Sequence, residues 1–250
     1  MKFGSLFSGI GGMDLGLERA GMQCVWQVES DDYARRVLAK HWPHVRRHDD
    51  VRTFPLEPAA DWACDLMAGG FPCQPVSVAG RGRGTTDERW LWPEFARVLR
   101  MVRPRFALLE NVPGLLVRGM GIVLGDLAEL GFDAEWACVS ACSMGFTHMR
   151  RRLFIVAYRA GSMGKEGIRF RQLSPQGTLQ ARCDRKAVIL GMEGAARDRR
   201  GADGLPPRMV PAVRGLGNAV VPQISEWLGQ MILAQWVGER VLATVSLVGS

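Results

Sequence analysis

Short apolar runs alternate with stretches of helical periodicity through the first 158 residues. FGSLFS, beginning at Phe3, reads as a strand, and GGMDLGLERAG reads as a helix that Gly21 ends. CVWQVES is a second strand. DDYARRVLAKHW then has helical spacing, with an Asp as N-cap and Pro43 as its stop. DLMAGG is a third clear strand and WLWPEFARVLRMV a helix, and FALLENV followed by GMGIVLGDLAELG repeats that order. FDAEWACVSA and RRLFIVAY are strands again. The alternation predicts an α/β domain with a mainly parallel sheet covered on both faces. The last two strands follow each other without a helix, which predicts that one of them is antiparallel at an edge.

After Tyr158 the pattern fails. Residues 159–214 are rich in Gly, Arg, Pro and Ser, with short apolar runs only at KAVILGM and RMVPAV. Periodicity returns in ISEWLGQMILAQWV, a helix after Pro222. The expected organisation is an α/β body over 1–158, a small irregular insert over 159–214, and a helical element within 215–250 that closes back on the body. No internal repeat has a period of 20–50 residues.

Composition adds bounds. With 250 residues, 47% of them hydrophobic and 23% charged, the chain has the apolar mass for one large domain. No window of about 18 apolar residues free of charge implies a membrane span. The N-terminal MKFGSLFSGIGG is too short and too broken by glycine for a secretory leader, so the cytoplasm is expected. Six cysteines lack the density and spacing of a disulfide framework. Cys138 and Cys142 have no second cysteine pair to complete a zinc site; buried thiols, and no metal, are expected.

Charge changes the picture more. Residues 159–214 hold twelve of the 32 basic residues but five of the 25 acidic ones, a surplus equal to the whole net charge of +7. A nearly neutral body presenting one basic segment suits a polyanion, and arginine, which outnumbers lysine 28 to 4, suits bidentate phosphate and guanine contacts. A solvated arginine-rich loop would have the same composition.

Two stretches carry candidate chemistry. SGIGGMDLGL joins the first strand to the first helix, where an open α/β sheet binds ligands at its carboxyl edge. The dinucleotide fingerprint would require glycine at position 14, which is Asp14, so a pyrophosphate site is disfavoured. What survives is a tight turn plus Glu29 at the end of the second strand, a carboxylate suited to a ribose diol; an adenosine-type ligand fits. The second stretch is GGFPCQPVSVAG. Pro72 and Pro75 flank Cys73 and restrict the backbone around it, as a thiol held in one attack geometry requires. LLENVPG ends the next strand and places Glu110 and Asn111 at the same edge, and HMRRRLF supplies Arg150 and Arg152, two apart and on one face.

The stretches LFSGIGG, VES, DDV, GGFPCQP, ENV, RRRLFIVA and GLGNAVVPQ, in this order and over nearly the whole length, make the chain resemble the C5-cytosine DNA methyltransferases. The resemblance implies an open, mainly parallel, seven-stranded sheet with one antiparallel strand, the Rossmann-like fold of class I methyltransferases dependent on S-adenosylmethionine. It implies that 1–158 and 215–250 form the catalytic domain and 159–214 a reduced target-recognition region that binds double-stranded DNA, with a monomer as the default. Cys73 becomes the nucleophile on a flipped cytosine, Glu110 the acid at N3, Arg152 the contact to O2, and Arg150 its neighbour near the flipped nucleotide's backbone. Phe7, Gly9 and Gly11 would line the cofactor site, with Glu29 on the ribose, Asp50 and Val51 beside the adenine, Pro72 and Leu91 as walls, and Asn218, Ala219 and Val220 at the methionine end.

The chain departs from the family at Thr147 and His148, where Pro-Gln is usual, and in the shortness of its recognition region. A transfer RNA methyltransferase of the same superfamily is the alternative enzyme, although its Cys-Phe-Thr run is not found here. A partner-dependent or inactive DNA-binding relative is the alternative of another class. The recognition sequence, and whether a restriction endonuclease accompanies the chain, cannot be read from these residues.

Overall fold

The computed structural model describes residues 1–54, 60–72, 90–146, 150–160, 215 and 219–248, with main chain alone at 60 and 239–248. Its strands are β1 (Lys2–Leu6), β2 (Gln23–Val28), β3 (Arg46–His48), β4 (Leu66–Gly69), β5 (Phe106–Asn111), β6 (Phe132–Ser140) and β7 (Arg151–Arg159). Its helices are α1 (Gly12–Arg19), α2 (Asp32–His41), α3 (Trp92–Val102), α4 (Leu115–Arg118), α5 (Met120–Glu129) and α6 (Pro222–Val248). The seven strands form one sheet in the order β3-β2-β1-β4-β5-β7-β6.

β1 pairs in parallel with β2 and β4, β2 with β3, and β4 with β5, whereas β7 runs antiparallel to both β5 and β6. The antiparallel strand therefore lies one place in from the edge, not at it. Burial explains the exchange: Leu153 to Tyr158 of β7 are buried without a break, as a strand covered on both faces must be, while only Phe132 and Val139 of β6 are buried, as an edge tolerates. β3 escaped the sequence reading because its three residues, Arg-Arg-His, carry no apolar pattern. It stands at the other edge, with Arg46 over the Trp62 ring at 4.0 Å.

Each face of the sheet has its own core. Trp26, Phe54, Phe71, Trp92, Phe95 and Leu109 pack on the side of α3 and α5. Phe3, Leu17, Leu38, Leu108, Phe154 and Leu228 pack on the side of α1 and α6. α6 is nearly twice the length its apolar periodicity predicts, and it meets α1 along small residues. A Cβ on Gly12 would collide with the Val220 carbonyl, and one on Gly16 with the Pro222 carbonyl and Ser225 Oγ. The two backbones touch there, which carries Ala219 and Val220 to the carboxyl edge of the sheet.

Arg159, which the sequence reading assigned to the basic segment, belongs to the body. It donates to the carbonyls of Pro104 and Leu130 and lies over the Phe132 ring at 4.3 Å. Cys24, Cys64 and Cys138 are free thiols, but Cys142 is disulfide-bonded, where a thiol was expected. Among the described residues no helix is long and apolar enough to cross a membrane.

Candidate active site

The turn from β1 into α1 is built by three departures from ordinary backbone. Phe7, Gly9 and Gly11 have φ of 53°, 56° and 85°. Glycine occupies this region freely, but a phenylalanine does so at a cost of about 1–3 kcal/mol, a strain that clusters at ligand sites. A Cβ on Gly9 would meet nothing within 4 Å, so this face of the turn is open, whereas Gly11 lets the turn settle on Trp42 and Leu38. Glu29 fixes the turn from the side: its Oε2 accepts from Gly9 N at 2.7 Å and its Oε1 from Asp31 N at 2.8 Å.

Below this turn lies a cavity of about 260 Å³ between β1, β2, β4 and the segment before α6. Phe7, Gly9, Glu29, Pro72, Ala219 and Val220 line it, together with Gly70 and Glu110. The remaining cofactor candidates are placed elsewhere. Gly11 sits behind the turn; Asp50 caps a short 3-10 turn by accepting from Arg52 N; Val51 is buried; Leu91 opens α3. Asn218 and Cys73 lie outside the described residues, as do Thr147 and His148. None of the described lining residues is Lys or Arg, while Glu29, Asp31 and Glu110 are acidic. Such a wall repels phosphate and suits a neutral or cationic adenosine derivative, with Glu29 retaining lone pairs for a ribose hydroxyl.

At the far end of the cavity an acid of the lining meets an arginine that stands outside it. Glu110 closes β5, with its side chain 12% exposed, and its Oε1 accepts from Arg152 Nε at 2.7 Å. A Cβ on Gly70 would stand 2.6 Å from Glu110 Oε2, so this glycine lets the carboxyl lie against the main chain three residues before Cys73. Because β7 is antiparallel, its first residues reach the carboxyl edge of the parallel strands, which is how arginines at the start of a strand meet a glutamate at the end of another. Desolvation raises the Glu110 pKa above the usual carboxylate range; the charges of Arg152 and Arg150 oppose the rise without cancelling it. A carboxyl so placed can hold a proton for a neighbouring acceptor.

Asn111 has a supporting task. Buried to 2%, it donates from Nδ2 to the Phe71 carbonyl at 3.2 Å and accepts from Val112 N through Oδ1. Phe71 meets Trp90 edge-on at 5.5 Å and packs on Trp92 and Phe95. Phe71 and Trp90, on either side of the stretch that holds Cys73, are thus fixed together.

Sequence reasoning missed a buried network beneath the turn. Ser5 Oγ and Gln27 Nε2 both donate to the Asp14 carboxylate at 2.7 Å, and Ser8 Oγ donates to Ser5 Oγ at 2.9 Å. The available signal was a polar residue at the inward position of two apolar strands. Ile10, Ser30 and Asp31 also line the cavity, each next to a residue the motifs singled out.

Sheet order, glycine turn and carboxyl-edge cavity define a Rossmann-like methyltransferase fold. Residues 1–186 match the C-5 cytosine-specific DNA methylases, and the chain belongs to that family. It is 37% identical over 166 residues to the type II methyltransferase M.NgoMIV of Neisseria gonorrhoeae, covering 64% of this chain and 53% of that protein. It is 36% identical over 166 residues to the type II methyltransferase M2.BsuMI of Bacillus subtilis strain 168, covering 63% and 42%. The fold is shared with the S. pombe Dnmt2 methyltransferase, with a TM-score of 0.55, 22% identity and coverage of 70% and 55%. The chain spans 36% to 53% of the length of the curated relatives compared.

Proposed function

We propose that the chain transfers a methyl group from S-adenosylmethionine to carbon 5 of cytosine in double-stranded DNA. The observation that carries this reading is the Glu110 carboxyl, paired with Arg152 and raised in pKa, held at the mouth of an uncationic cavity whose lining includes Pro72, the residue before Cys73. Its relatives are named type II methyltransferases, which supports a role in restriction-modification.

Phe7, Gly9, Glu29, Ala219 and Val220 would hold the cofactor, which supplies an electrophilic methyl on a cationic sulfur. Carbon 5 of cytosine is too weak a nucleophile to take it unaided. Addition of the Cys73 thiolate to carbon 6 moves an electron pair toward N3, where Glu110 delivers its proton; the resulting enamine makes carbon 5 nucleophilic. After methylation, loss of the carbon 5 proton to a base expels the Cys73 thiolate and restores the aromatic ring. Arg152 and Arg150 orient the base and steady the charge that Glu110 acquires. The base must leave the duplex for this; the proposed DNA contact is the basic segment 159–214 without Arg159, which joins 1–158 and 215–250 in the catalytic body.

The test is transfer of labelled methyl to mixed-sequence duplex DNA, to one of its strands alone, and to total transfer RNA, using wild type and Cys73→Ala. Label in duplex DNA that vanishes in the variant is the expected result. Label in transfer RNA alone would replace the substrate, and label retained by Cys73→Ala would overturn the mechanism.

A further inference from the structure

Position 14, where a dinucleotide site would carry its third glycine, instead holds the most deeply buried acid of the described residues. Asp14 lies in the first turn of α1 with no exposed surface, and Ser5 and Gln27 are each buried to within 1%. The charged or titratable groups around it are Glu18 one turn along α1, the Cys24 thiol on β2, and Glu226 entering α6 beside Gly16; β1 carries only Lys2, at its far end. None of these that stands close is a cation. Burial pushes the Cys24 pKa far up, so that thiol stays neutral.

The hydrogen bonds around Asp14 have a direction. An ionised carboxylate only accepts, so Ser5 must point its hydrogen at Asp14, and Ser8 in turn points its hydrogen at Ser5. Both serines line the cavity. Their oxygens, the negative ends of two aligned dipoles, are therefore presented to the wall, and the carboxylate itself stands one hydroxyl behind it.

We propose that Asp14 is kept ionised behind the cavity wall as a selectivity device, favouring the cationic sulfonium of a methyl donor over the neutral thioether left when the methyl has gone. Ser5 and Ser8 extend its charge to the wall. This rests on the cofactor reading above. Burial raises the Asp14 pKa to about 6 from an unfolded value of 3.8. The sign follows: ionisation opposes folding, and the cost is present in full above pH 6 and fades as pH falls from 6 toward 3.8. A group that costs stability at neutral pH and has no cation beside it among the described residues is one retained for another purpose.

The experiment is calorimetric titration of S-adenosylmethionine and S-adenosylhomocysteine into wild type, Asp14→Asn and Ser5→Ala between about pH 5 and pH 8, with melting temperatures alongside. The Asp14→Asn side chain can be accommodated, since Gln27 Oε1 makes no hydrogen bond and a turn of that amide offers it as an acceptor. The expected result has three parts. Wild type prefers the sulfonium, and loses part of that preference below about pH 6. Asp14→Asn weakens sulfonium binding on the order of fivefold, leaves thioether binding unchanged, and shows no pH dependence. The same variant melts higher than wild type at about pH 8, with the difference narrowing to roughly half at about pH 5. Ser5→Ala, which leaves the charge in place, gives a smaller loss with the same selectivity. Parallel weakening of both ligands by either variant, or a lower melting temperature for Asp14→Asn at the alkaline end, would make Asp14 a packing residue and overturn the proposal. Wild type binding neither ligand would overturn the cofactor reading itself.

Discussion

The two ends of the cavity are made of different materials. The end beneath the β1–α1 turn is mostly main chain: glycines, a strained phenylalanine, the Val220 backbone, and one carboxylate that binds amide hydrogens. At the other end the wall is a side chain, Glu110, and Arg150 and Arg152, outside the lining, set their charges against it in a desolvated place. A main-chain site is preorganised by turns and suits steady holding of a ligand. A side-chain site can shift a proton, which chemistry requires and binding does not.

Substitutions should separate the two ends. Glu110→Gln keeps the shape and removes the transferable proton; turnover should fall by roughly 10²- to 10⁴-fold with cofactor affinity unchanged, read from single-turnover rates and titration. Comparable losses in both would mean that the ends do not work separately. Arg152→Met should lower turnover by about 10-fold and also move its alkaline limit. In the proposed reaction Glu110 acts as the protonated acid, so activity should be lost as pH rises through its raised pKa. Removing a cation that lowers that pKa moves the loss to higher pH. A limit that stays in place would detach Glu110 from the pH profile. Gly12→Ala should act on the other end, driving a Cβ into the Val220 carbonyl at about 1–3 kcal/mol and raising the cofactor Kd with turnover at saturation preserved. Glu29→Gln should have the smallest effect, a loss of about fivefold in cofactor affinity, since the amide still offers one oxygen to Gly9 N or to the ligand.

The same contrast explains what the sequence disclosed. β1, β2, β4 and β5 were legible because strands buried on both faces read as apolar runs, and Glu29 because it ends one of them. The glycine turn was legible through its spacing, but not the positive φ of Phe7, a region that a bulky side chain seldom enters. Asp50, Val51 and Leu91 entered by motif matching alone, and the structure puts them outside the cavity wall. The antiparallel strand was foreseen from two consecutive strands; its place between β5 and β6 needed the comparison of their burial. The Asp14 network was invisible because Ser5, Asp14 and Gln27 are joined only when three elements are assembled.

The seam between α1 and α6 has a consequence in time. Ser225 lies within 3.5 Å of the Gly12 carbonyl across 213 positions of sequence, and Ala219 and Val220 supply the cavity wall just before it. On the ribosome, the glycine turn, the sheet and the Glu110 carboxyl all emerge well before that wall does. A nascent chain that has made the sheet and Glu110 therefore still has this cavity open on one side. Closure of the cavity wall therefore waits on this long loop rather than on assembly of the sheet.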